Sequence, residues 1–142
     1  MAINKERAEK TMKMAEREFR IAVTCLEDND CTGSLKYLQE CMEYAVKAVL
    51  IAYGIDYPKI HAVGRFLYVI KEKYPQWFLE QVETIAKVND SLARERPRFR
   101  YPYEHPPEQY ERMIREILPK IEKAFESCRK LLKELFSYPP NI

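Results

Sequence analysis

A chain of 142 residues, 46% hydrophobic and 32% charged, is long enough for a single domain with a real core. Its three glycines and the absence of alternating Val, Ile and Thr runs argue against a sheet. The net charge of +2 excludes a nucleic-acid binder driven by overall charge, so any basic surface must be local.

The first residues run straight into charge (Asn4-Lys5-Glu6-Arg7) with no leader pattern, and no apolar run is long enough to span a bilayer. The expectation is a cytoplasmic protein with no membrane partner. Cys25, Cys31, Cys41 and Cys128 form no CxxC pair and have no nearby histidine in sequence, so neither a metal site nor a cofactor is expected. Their expected role is burial as small apolar side chains.

The first helix is predicted from about Asn4 to about Glu27. Ala8, Met12, Ala15, Phe19, Ala22, Val23 and Leu26 make one stripe at three- and four-residue spacing. Asp28-Asn29-Asp30 breaks that pattern, and Asp30, Thr32 or Ser34 can cap a second helix. The second stripe is Leu35, Leu38, Met42, Ala45, Val46, Val49, Leu50 and Tyr53, with Gly54 placed for a left-handed cap. The short link predicts an antiparallel hairpin. Glu43 and Lys47, four apart, are expected to pair on the helix surface.

A third helix is predicted from about Ile60 to Lys73, with Val63, Phe66, Leu67 and Ile70 on its apolar side. His61 at its start reads as a capping or packing residue. Tyr74-Pro75 ends it and opens a fourth, which carries Trp77, Phe78, Val82, Ile85 and Ala86 and which Pro97 should stop. Pro107 can open a fifth, whose stripe runs from Tyr110 through Ile114, Ile121 and Phe125 to Leu135. Pro119 lies within it but the stripe stays in phase, which predicts a kink and not an end. The expected fold is all-α: an up-and-down antiparallel helical bundle of about five helices in one domain over residues 1–142, with 137–142 as a frayed tail. The second and fifth helices should form its centre. Some of Tyr53, Tyr57, Tyr68, Tyr74 and Trp77 should remain outside the core on a surface suited to a partner.

The chemistry concentrates in the break between the last two helices, around Arg98-Phe99-Arg100-Tyr101-Pro102-Tyr103-Glu104-His105. Arg94, Arg96, Arg98 and Arg100 crowd one helix end and the loop beyond it. Guanidinium groups fork onto phosphate oxygens, and Phe99, Tyr101 and Tyr103 alternate with them as stacking surfaces for bases. His105 can both accept and give a proton near neutrality. Arginine with histidine suffices for cleavage of RNA by its own 2′-hydroxyl, without a metal. The plainer reading is a solvated turn, with Glu95 and Glu104 pairing the arginines.

Three segments resemble the HEPN domain family, small helical proteins of prokaryotes and higher eukaryotes. Gln39-Glu40-Cys41-Met42-Glu43-Tyr44-Ala45-Val46-Lys47-Ala48-Val49-Leu50, followed by Tyr53-Gly54, is similar to the family's second-helix pattern. Pro58-Lys59-Ile60-His61-Ala62-Val63 resembles its proline and histidine before the third helix. Arg100-Tyr101-Pro102 with His105 resembles the Arg-Tyr-Pro loop before the last long helix. Four residues separate Arg100 from His105 and six separate Arg98 from it, within the family's spacing of arginine and histidine.

The resemblance implies a homodimer, often with two such motifs facing one cleft, and a toxin-like, metal-independent endoribonuclease. In that reading Arg100 and His105 are catalytic, and Arg96, Arg98, Tyr101 and Tyr103 hold phosphate or nucleotide. It also implies a minimal nucleotidyltransferase as a partner, with Tyr101 or Tyr103 as a target for modification. Ribonuclease members usually carry a small polar residue after the arginine, whereas Tyr101 follows Arg100 here and Phe99 follows Arg98. That departure favours the alternative, a non-catalytic module that binds a nucleotide or docks the nucleotidyltransferase.

Overall fold

The computed structural model describes residues 2–100 and 107–136, with the side chains of all but 2, 3 and 100. Arg100 is thus described in its backbone alone, and the positions predicted for Tyr101, Tyr103, Glu104 and His105 lie outside the described residues, as does the tail 137–142. Four α-helices and one 3₁₀ segment account for the described elements.

Helix α1 (Ala2–Glu27) buries Ala8, Ala15 and Ala22 completely. These alanines recur every seven residues, and their small side chains let the helix axes come close. Helix α2 (Cys31–Ala52), which packs along α1, fully buries Cys41, Ala45 and Ala48 as well. Asn29, in the left-handed conformation at φ 60°, reverses the chain between the two. Asp30 is the cap of α2, and its Oδ1 accepts from the Gly33 amide at 2.9 Å. At the other end Gly54 (φ 71°) completes a Schellman turn, with Gly54 N donating to Ile51 O and Ile55 N to Leu50 O.

The next element differs from the helix predicted from Ile60. It is a 3₁₀ segment, Gly64–Lys73, broken at Ile70 (φ −126°, ψ 39°). Gly64 and Leu67 are its buried residues and Ile70 packs against the core one step later, a three-residue period that fits 3₁₀ winding. The start is fixed by close approach to the following helix. A Cβ on Gly64 would lie 2.7 Å from the Ala86 carbonyl oxygen, and the Gly64 amide donates to Asp90 Oδ1 at 3.0 Å.

Helix α3 (Gln76–Arg100) does not stop at Pro97, contrary to the sequence expectation. Proline removes one amide, but two contacts hold the last turn in place. Phe99 is buried, and the Tyr110 hydroxyl donates to the Arg98 carbonyl at 3.3 Å. Helix α4 (Pro107–Phe136) opens on Pro107 and runs through Pro119, burying the predicted stripe from Tyr110 to Leu132.

Helix α2 is the centre, packed against α1, α3, α4 and the 3₁₀ segment. Phe19 stacks on Phe125 and Arg129 pairs with Glu16 at 3.0 Å, tying α1 to α4. Tyr74 is buried edge-on between Tyr53 and Phe78, whereas Tyr68 and its neighbour Val69 stand exposed. Trp77 packs against Phe78, donates from Nε1 to Glu134 at 3.0 Å, and has Lys130 Nζ 4.3 Å from its ring centroid. All four thiols are free. Cys41 and Cys128 are buried as expected, and Cys25 and Cys31 are partly so.

Candidate functional site

Residues 96 and 98 of a helix point about 200° apart, so they cannot share a partner. Once α3 runs through Pro97, the arginines predicted to crowd together are divided between its sides. Arg98 turns to the start of α4: Nη1 meets Glu95 Oε2 at 2.7 Å and Nη2 donates to Gln109 Oε1 at 3.1 Å. Its Nε is buried with no partner among the described residues. Arg96 turns to α2 and donates from Nη1 to Gln39 Oε1. Arg94 is exposed, reaching Ser91 at 3.4 Å.

Gln39 is 1% exposed and belongs to a larger network. Its amide nitrogen donates to Glu43 Oε1 at 2.9 Å. The same oxygen lies 2.8 Å from His61 Nδ1, and the other carboxylate oxygen takes Lys47 Nζ at 2.7 Å. Gln39, Glu43 and Lys47 are each four apart, so one face of α2 presents all three. His61 comes from the link after α2 and is held from behind, because its carbonyl accepts from Asn89 Nδ2 at 3.3 Å. Asn89 also donates to Asp90, which anchors Gly64.

The Glu43 side chain is 12% exposed. Burial pushes its carboxyl up, but hydrogen bonds from Lys47, His61 and Gln39 outweigh that and hold it below the ordinary carboxylate range. The result is a fixed anion that orients an imidazole, with the second ring nitrogen left free of the carboxylate and the side chain 52% exposed. A guanidinium stands one amide away, and Arg100 follows Arg96 by one turn of α3. Chemically this is a positioned proton carrier beside cationic groups, the elements phosphate chemistry requires.

Residues 8–134 match the family profile described as HEPN domain. The chain belongs to the HEPN domain family. A curated relative from Methanocaldococcus jannaschii, named "Putative toxin MJ1304", is 32% identical to this HEPN protein over 134 residues, 88% of each chain. No solved structure matches the chain.

Of the predicted site residues, Arg96 and Arg98 are thus placed, each in a contact within the bundle. What residue-by-residue reading missed is the convergence of Gln39, Lys47 and His61 on Glu43, with Gln39 passing the connection on to Arg96. The signal was present, since Glu43, Lys47 and His61 all lie in the segments that carry the HEPN resemblance. Read singly, a surface ion pair and a capping histidine gave no reason to join them. Among the described residues no group of three or more His, Cys, Asp or Glu is arranged to hold a metal ion, and no helix is long and apolar enough to cross a membrane.

Proposed function

We propose that this HEPN protein is toxin-like and acts as a metal-independent endoribonuclease, in a homodimer, through Arg100 and His105. The observation that carries the reading is Arg96, one turn before Arg100 on α3, whose guanidinium joins through Gln39 the network in which Glu43 holds the His61 imidazole. The helix ends support it too. Arg98 with Gln109, and Tyr110 with the Arg98 carbonyl, join the end of α3 to the start of α4. The name of the M. jannaschii relative agrees with a toxin role. In this reading His105 moves the proton of the 2′-hydroxyl, Arg100 stabilises the charged phosphorus centre, and Arg96 and Arg98 with Tyr101 and Tyr103 guide the strand.

The test is cleavage of single-stranded RNA by purified protein in the presence of a chelator. His105→Ala and Arg100→Ala should each lower the rate by roughly 100-fold or more. Cleavage by His105→Ala at the wild-type rate overturns the assignment.

A second reading is favoured by the engagement of Arg98 with Glu95 and Gln109 and of Arg96 with Gln39, since both guanidinium groups already serve the bundle. The protein is then a non-catalytic module that docks a minimal nucleotidyltransferase or binds a nucleotide, with Tyr101 or Tyr103 open to modification. No cleavage by the purified protein, with a stable complex and a nucleotidyl mass shift on co-expression with such an enzyme, would select this reading.

A further inference from the structure

A hollow of about 450 Å³ opens where the first turns of α1 meet the chain that leaves α2. Its volume lies within the range of small-molecule sites. Three cations line it: Arg7, Lys47 and Lys59. Lys47 is matched by Glu43 at 2.7 Å and lies 5.6 Å from the centroid of the Tyr57 ring, another lining residue. Arg7 and Lys59 make no side-chain ion pair with any described residue, although acidic residues are nearly as numerous as basic ones in the chain, at 22 against 24. Like charges gathered around one hollow repel each other until an anion enters, and a hollow concentrates their field.

We propose that this hollow binds a small phosphorylated sugar, with the phosphate held by Arg7 and Lys59. A guanidinium forks onto two phosphate oxygens, and the lysine ammonium adds a point charge beside it. Asp56 lines the same hollow. A carboxylate there opposes a bare phosphate ion but accepts hydrogen bonds from hydroxyls, so it selects an ester that carries them. Asn4 can both donate to and accept from the same hydroxyls. The Tyr57 ring supplies a flat wall for the apolar face of the sugar. Lys47 connects this site to the network of Glu43, Gln39 and Arg96. The hollow is formed without the Arg98–His105 stretch, so failure of this proposal leaves the ribonuclease reading standing, and the reverse holds.

Titration calorimetry of the full chain with ribose 5-phosphate tests it, with inorganic phosphate as the comparison. Saturable binding of ribose 5-phosphate, tighter than phosphate and weakened by added salt, is expected. The double variant Arg7→Gln, Lys59→Gln should lose at least tenfold in affinity. Both side chains are exposed, so its circular dichroism and urea midpoint should stay at the wild-type values. Asp56→Ala should weaken ribose 5-phosphate while it tightens phosphate. No saturable binding up to about 10 mM, or an affinity unchanged in the double variant, overturns the proposal.

Discussion

Glu43 shows how one buried charge can organise several segments. Its carboxylate gathers donors from its own helix and from the link that follows, and the Gln39 amide passes the connection on to α3. Because its pKa is lower in the folded chain than in the unfolded one, the stabilisation is complete above the unfolded value near ~4.3. It is lost as pH falls through the folded value. Glu43→Gln keeps the shape and removes the charge. It should lower stability at pH 7 by about 2 kcal/mol and flatten the acid limb, as read from urea denaturation at several pH values. The cysteines follow a different rule. Burial pushes the Cys128 thiol up to about 12 and the Cys41 thiol up as well. Burial, then the nearby carboxylates of Asp30 and Asp28, raises Cys25, and burial followed by Glu111 and Asp30 raises Cys31. The thiolate is the reactive form, so iodoacetamide at pH 7.5 should leave Cys41 and Cys128 unmodified in the native protein, and all four should react in denaturant, counted by intact mass.

At the scale of elements, local patterns located helices well and read their ends unevenly. The turn at Asp30, the glycine at 54 and the proline at 107 behaved as their local chemistry dictates, because each needs only its neighbours in sequence. Pro97 and the 3₁₀ segment went otherwise because tertiary contacts decide them. Phe99 must be buried for α3 to pass its proline, and Gly64 must touch α3 for the segment to start where it does. Neither contact has a signature in local sequence. The second of these can be tested directly. Gly64→Ala pushes a methyl group against the Ala86 backbone and strains the amide bond to Asp90, so it should cost about 1–3 kcal/mol and loosen the 3₁₀ segment, seen as faster amide exchange at residues 64–73. The arginines make the same point for the site. Their number was plain in the sequence, but their division between α2 and α4 depends on α3 running on to Arg100.

At the scale of the whole molecule, α2 touches every other element and leaves none to fold by itself. Removing α1 or α4 would uncover part of the one core that α2 shares with both. Unfolding should therefore be a single cooperative step. Urea curves followed by circular dichroism, which reports all helices, and by indole emission, which reports one corner, should coincide. Separate midpoints would show that α3 and α4 detach before the hairpin of α1 and α2 melts.

Trp77 is the protein's one tryptophan, and it is clamped at the start of α3 by Lys130 and Glu134. Arg98 lies 21 residues further along the same helix, about 30 Å away at the ordinary rise. The molecule therefore carries an unlabelled optical beacon at the end of α3 opposite Arg94, Arg96 and Arg98. A macromolecule that settles over the beacon will change the colour of its glow, whereas one that grips the other end will leave the spectrum as it was.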